Sequence, residues 1–221
     1  MDRRAFIAGA ASLALAPRSF ARLAGGVEVA LVTADEEARL VAVELRSGRI
    51  RRYVPTLAKP RSIEVVGEVA VVAHSELGAL SVVRASTLKV EHVLRGLGEP
   101  RYTAAHPDGR HAYVADAERG EVVVLDVVRG RIVGRERVGA RARHLTIGQD
   151  WRTLWVALGA KAVVDVARGT KPRARAPLAH GSVVTPGLGT GTLCVLDRHG
   201  GVRFRKTVAR SSHDACIVTL S

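Results

Sequence analysis

Apolar positions in this chain come in short runs rich in Val, Ala and Leu, each ended by a turn-forming pair. Residues 120–126 read GEVVVLD and residues 191–197 read GTLCVLD, leading to tight turns at Arg129-Gly130 and His199-Gly200. Weaker copies lie at 39–44 (RLVAVE, running to Ser47-Gly48), 79–83 (ALSVV, to Ser86-Thr87) and 162–166 (AVVDV, to Arg168-Gly169). A motif returning about every 40 residues marks a repeat architecture. The runs are β-branched and none extends into a long helical pattern, so the repeat predicts a β-propeller.

The clearest unit spans 100–141. Residues 101–106 form a first strand, and Pro107-Asp108-Gly109-Arg110 a turn in which Asp-Gly supplies positive φ. A second strand follows at 111–115, a loop at 116–120 and a third strand at 121–127. The fourth, at 131–138, is more charged, as suits an outer edge that must resist pairing with other chains. The same template fits 61–66, 69–73, 79–83 and 90–94. It also fits 144–147, a turn at Gln149-Asp150, then 153–157, 162–166 and 173–177.

The ends of the chain differ. Residues 27–33, 39–43 and 50–54 supply strands two, three and four with no first strand before them, while 215–220 (ACIVTL) stands alone. The last strand is therefore expected to complete the first blade and close the ring. Gly130, Gly169 and Gly200 are 39 and then 31 residues apart, so the last unit is short by about one strand. Either 182–186 is its second strand and the innermost is missing, or 180–185 is the first and the second is lost. The expected fold is all-β: a β-propeller of about five four-stranded blades, the last incomplete, closed by the C-terminal strand.

Composition adds little to the fold and more to the setting. The chain has 221 residues, 47% hydrophobic and 4% aromatic, so aliphatic side chains must do the packing. Its formal charge is +13, mostly from arginine. That charge favours anionic partners. The basic residues are scattered and few aromatics are available for stacking, which argues against nucleic acid.

Residues 1–21 read as an export leader. Arg3-Arg4 precede an apolar run at 6–16, too short to span a bilayer, and Ser19-Phe20-Ala21 offers small residues at a cleavage point. The expectation is twin-arginine export of a single domain at 22–221, a monomer without a transmembrane anchor. Cys194 and Cys216 lie at non-equivalent places and read as two apolar thiols, with a disulfide, which an exported setting permits, as the alternative. No CxxC or CxxCH supports zinc or covalent haem.

The run at 100–116, with Pro107-Asp108-Gly109-Arg110 and Tyr113-Val114-Ala115-Asp116, followed by Val123-Val124-Leu125-Asp126, resembles the YVTN repeat family. The similarity covers about 27–220 and is strong only at 100–141. Such a resemblance implies an exported or surface-exposed propeller, in most members a binding scaffold. Lactonases and nitrous oxide reductase use similar propellers for chemistry, but no enzyme-specific motif of theirs transfers to this chain.

Candidate chemistry follows from the template. Residues at the start of each first strand line one mouth of a propeller's channel. Here they are Arg61, Arg101, Arg143 with His144, and His213 with Asp214. Guanidinium groups meet carboxylate or phosphate through paired hydrogen bonds, so this ring suits an anionic small molecule or protein partner. No cofactor and no metal is expected, because arginines repel a cation. His74 and Asp116, after second strands, are lesser candidates on the loop surface. His92, His106, His111 and His199 read as solvated. Ser211-Ser212-His213-Asp214 carries hydrolase-like residue types without a nucleophile elbow, and 187–191 (GLGTG) is followed by no helix. A lactonase-like hydrolase or a metal-binding enzyme is the alternative to a scaffold.

Overall fold

The computed structural model describes residues 26–148, 154–159, 183–187, 190–197 and 201–220. The expected leader at 1–21, the strands at 162–166 and 173–177, the turn at 149–150, His180 and His199 lie outside them.

Five antiparallel sheets are present among the described residues. The first holds β1 (Val27–Ala34), β2 (Arg39–Glu44) and β3 (Ile50–Pro55). The second holds β4 (Ser62–Val66), β5 (Val69–His74), β6 (Ala79–Arg84) and β7 (Lys89–Leu94). The third holds β8 (Pro100–Ala105), β9 (His111–Asp116), β10 (Glu121–Asp126) and β11 (Arg131–Arg137). β12 (Ala142–Ile147) pairs with β13 (Leu154–Leu158), and β14 (Val183–Gly187), β15 (Thr192–Leu196) and β16 (Val202–Thr207) make a three-stranded sheet. The last strand, β17 (Ala215–Leu220), joins the first sheet, pairing with β1 from Val27↔Leu220 to Val32↔Ala215. The expected completion of the first sheet by the chain's end is therefore present in the hydrogen-bond register.

Innermost strands of successive sheets lie side by side: β17 beside β4, β4 beside β8, and β8 beside β12. Each sheet thus presents its faces to its neighbours. One apolar cluster joins Leu31, Leu40 and Val218 to Ile63 and Val72. A second joins Val71, Leu80 and Val82 to Val114 and Leu125. A third joins Val32 and Val41 to Leu193 and Val195. Middle strands packed on both faces have no solvent side, so β5 (VAVVAH) is buried throughout. Fourth strands are the solvent edge, and β16 (VRFRKT) is exposed at all positions but one.

The three-stranded sheet settles one alignment. Val184 pairs with Val195 and Gly187 with Thr192. Tyr113 pairs with Val124 and Asp116 with Glu121 in the third sheet. The spacing from pairing to turn is the same, so β14 occupies the second-strand position.

Candidate functional site

Four innermost strands bring polar residues to the same end of the sheets. On β8 the pairing jumps from Pro100↔Asp116 to Thr103↔Val114, leaving Arg101 and Tyr102 on a bulge. On β12 it jumps from Ala142↔Leu158 to Leu145↔Val156, leaving Arg143 and His144 on an equivalent bulge. Bulges re-aim side chains that a regular ladder would hold on its faces. Tyr102 and His144, at matching places on adjacent sheets, stack with ring centroids 4.1 Å apart. Arg61 immediately precedes β4, its N–H donating to the Ala73 carbonyl. His213 and Asp214 immediately precede β17.

Thr33 ties these starts together. It is fully buried on β1, and its hydroxyl faces the carbonyls of Asp214 at 3.1 Å and Arg61 at 3.3 Å. The same oxygen accepts from the N–H of Asp214 at 2.9 Å and of His213 at 3.3 Å. Ser62 repeats the device one sheet on, donating to the Arg101 carbonyl. The backbone at the starts of β17, β4 and β8 is therefore held by hydroxyls from neighbouring strands.

Nε of Arg61, Arg101 and Arg143 and Nδ1 of His213 are buried without a hydrogen-bond partner. Arg101 keeps one anchor, an ion pair from Nη2 to Glu99. Burial, with the positive field of Arg61 and Arg101 and against Asp35, pushes the His213 imidazole below its ordinary value. His144 is lowered too, by burial and by Arg143. Both shifts favour the neutral ring, which offers one donor and one acceptor nitrogen. Arg61 also lines a cleft with Asp35, Lys59, Ser75 and Glu76.

Asp214 behaves differently from the ring. Its Oδ2 accepts from the N–H of Ile63 at 3.1 Å and Oδ1 from its neighbour Ala215 at 2.9 Å. Burial raises its carboxyl to about 6 against these two bonds. Beside it Glu64 is raised to about 7, by burial and then by Asp214. Cys216 is buried and its thiol is pushed up by the same surroundings. This acidic seam joins β17 to β4.

Several sequence expectations need correction. His74 is fully buried, not on the loop surface: Nδ1 lies 3.0 Å from the Ala58 carbonyl and Nε2 2.9 Å from the Ser81 hydroxyl. Asp116 is fully buried and accepts from the N–H groups of Gly98, Glu99 and Arg119. Both pin connecting loops, the role expected of a polar group with no water to solvate it. His106 and His111 are half-buried against Asp108, whose Oδ2 lies 2.6 Å from His111 Nδ1. The Ser212 hydroxyl, in a run from which no triad is expected, faces the carbonyls of Gly187 and Thr192. Asp35 and Lys59 line the cleft with Arg61 although no repeat position marks them in the sequence. Asp35 falls in the loop after a second strand, one place beyond the positions of His74 and Asp116, and only the fold shows which of these points to the cleft.

No family profile matches the chain, and no curated protein matches it. Among solved structures it is similar to Kuenenia stuttgartiensis hydrazine synthase, with 17% identity, a TM-score of 0.51, and coverage of 79% of this chain and 44% of that one. It is also similar to the dihydro-heme d1 dehydrogenase NirN in complex with DHE, with 14% identity, a TM-score of 0.50, and coverage of 84% and 45%. The chain thus spans less than half the length of either. Both neighbours are of β-propeller type, and likeness at this identity shows the fold alone.

Proposed function

We propose that the chain is an exported β-propeller of five blades that binds an anionic ligand at the channel mouth. In this reading β17 completes the first blade and the last blade is incomplete. The observation that carries it is the set of buried, unpartnered nitrogens on Arg61, Arg101, Arg143 and His213. A buried donor left unsatisfied costs about 1–3 kcal/mol, and more where the group is charged. An oxyanion accepting from these nitrogens recovers that cost, and guanidinium geometry favours carboxylate or phosphate. Asp214 belongs to the support of the mouth, since backbone N–H groups take both its oxygens.

Calorimetric titration of the folded protein with inorganic phosphate and with propionate tests the reading. Saturable binding that weakens about tenfold or more in Arg101→Gln supports it. No heat with either anion, or equal affinity in the variant, overturns it. Stoichiometric metal in the folded protein, or turnover of lactones, would favour an enzyme instead. The twin-arginine leader is tested by fractionating cells that express the full chain: accumulation of an unshortened cytoplasmic form overturns export.

A further inference from the structure

Arg61 and Asp35 are both half-buried and line one cleft, yet among the described residues no ion pair joins them. Nε of Arg61 and Oδ1 of Asp35 are each buried and unpartnered. Two opposite charges that share a cleft without meeting leave space for a group that answers both. A simple anion answers only Arg61 and is repelled by Asp35. Lys59 and Glu76, at the exposed rim of the same cleft, repeat the pairing of a cation with a carboxylate. Lys59 is presented there by a left-handed backbone with φ 54°. His213 stands beside Arg61, its N–H on the Thr33 hydroxyl that faces the Arg61 carbonyl, and its Nδ1 is unpartnered as well. Ser75 is not available, because its hydroxyl is used on the Pro100 carbonyl.

From this geometry we infer that the cleft between the first two sheets takes a small zwitterion, an α-amino acid, its carboxylate on Arg61 and its ammonium on Asp35. The inference rests on the anion-binding reading above and specifies its ligand class. The cleft is about 40 Å³, room for roughly three water-sized groups, which limits the side chain to a small one.

The discriminating pair is L-alanine and propionate, which share a carboxylate and differ by the ammonium group. Calorimetric titration of the full chain should show L-alanine binding about tenfold or more tightly, the worth of one charge-assisted hydrogen bond. Asp35→Ala should remove that preference while propionate binds as before or better. Propionate and L-alanine binding equally to the unaltered protein, with both weakened in Arg61→Gln, would overturn the zwitterion and spare the anion site. If phosphate and propionate also fail to bind, both readings fall. The comparison of the two ligands on the unaltered protein needs no variant, so a misfolded Asp35→Ala does not shield the inference.

Discussion

Asp126 ends β10 with its side chain 1% exposed, and it remains a carboxylate there. Arg110 donates to its Oδ2 through Nη2 at 2.7 Å and Nε at 3.2 Å, and the N–H of Arg129 reaches Oδ1 at 3.1 Å. The Arg110 bonds dominate, burial opposes them, and the carboxyl is lowered to about 2. At the same corner of the second sheet the charges are exchanged: Arg84 ends β6, and Glu68 stands before β5, 3.1 Å away. What recurs is a pair bridging the first turn to the end of the third strand, not a residue type. Because the folded value lies below the ordinary 3.8, this stabilisation is complete above that pH and is lost as pH falls through about 2. Asp126→Asn should therefore lower the melting temperature by several degrees at pH 7. The gap should close in melts near pH 2, and a gap independent of pH would refute the assignment. The Arg and Asp of this corner are readable in the sequence as parts of a recurring pattern. Their meeting is not, because 16 residues separate them.

At the scale of elements, the apolar runs locate the middle strands because a sheet covered on both faces is filled mostly by apolar side chains. The few buried polar ones, among them Thr33, His74, Asp116 and Asp126, are held by hydrogen bonds. Outer strands are legible through their charge. What local sequence hides is irregular pairing. The ladder between third and fourth strands slips once in four sheets, between Ala42/Val43, Val82/Val83, Val124/Leu125 and Val195/Leu196. A recurring slip adds twist at the same depth of each sheet. Glu64 on β4 shows a second hidden feature, an acid at a seam rather than at a site. Its folded value of about 7 lies above the ordinary 4.5, so its contribution is complete below 4.5 and is lost as pH rises through 7. Asp214 adds in the same direction, while the lowered His74, His144 and His213 act oppositely. The difference between Glu64→Gln and the unaltered protein isolates the acid. It should grow in favour of the variant between pH 5 and pH 7, by up to about 1.4 kcal/mol per pH unit. A flat difference in denaturant midpoints across that range would contradict the burial argument.

Across the whole molecule, β17 is the element on which the arrangement turns. It covers the inner edge of β1 and carries Cys216 and Val218 into the cluster shared with the second sheet. Deleting 215–220 leaves that edge unpaired and opens the cluster to water. Size-exclusion chromatography of the deletion should show association or aggregation, as bare edges recruit other strands. A monomer with the original melting temperature would show that the seam is dispensable. Among the described residues, the order of strands in the first three sheets, the turns between them and the end of the sheets at which Arg61, Arg101 and Arg143 fall were legible in the sequence. Those features depend on neighbours a few residues away and on a period that repeats. The tertiary structure alone decided which polar groups face partners and which do not. Thr33 reaches Arg61 across 28 residues and Asp214 across 181, and Asp214 reaches Ile63 across 151. Those contacts place His74, Asp116 and Asp214 in supporting bonds and leave Asp35, Arg61 and His213 open, because satisfaction of a buried polar atom depends on what another sheet brings to it.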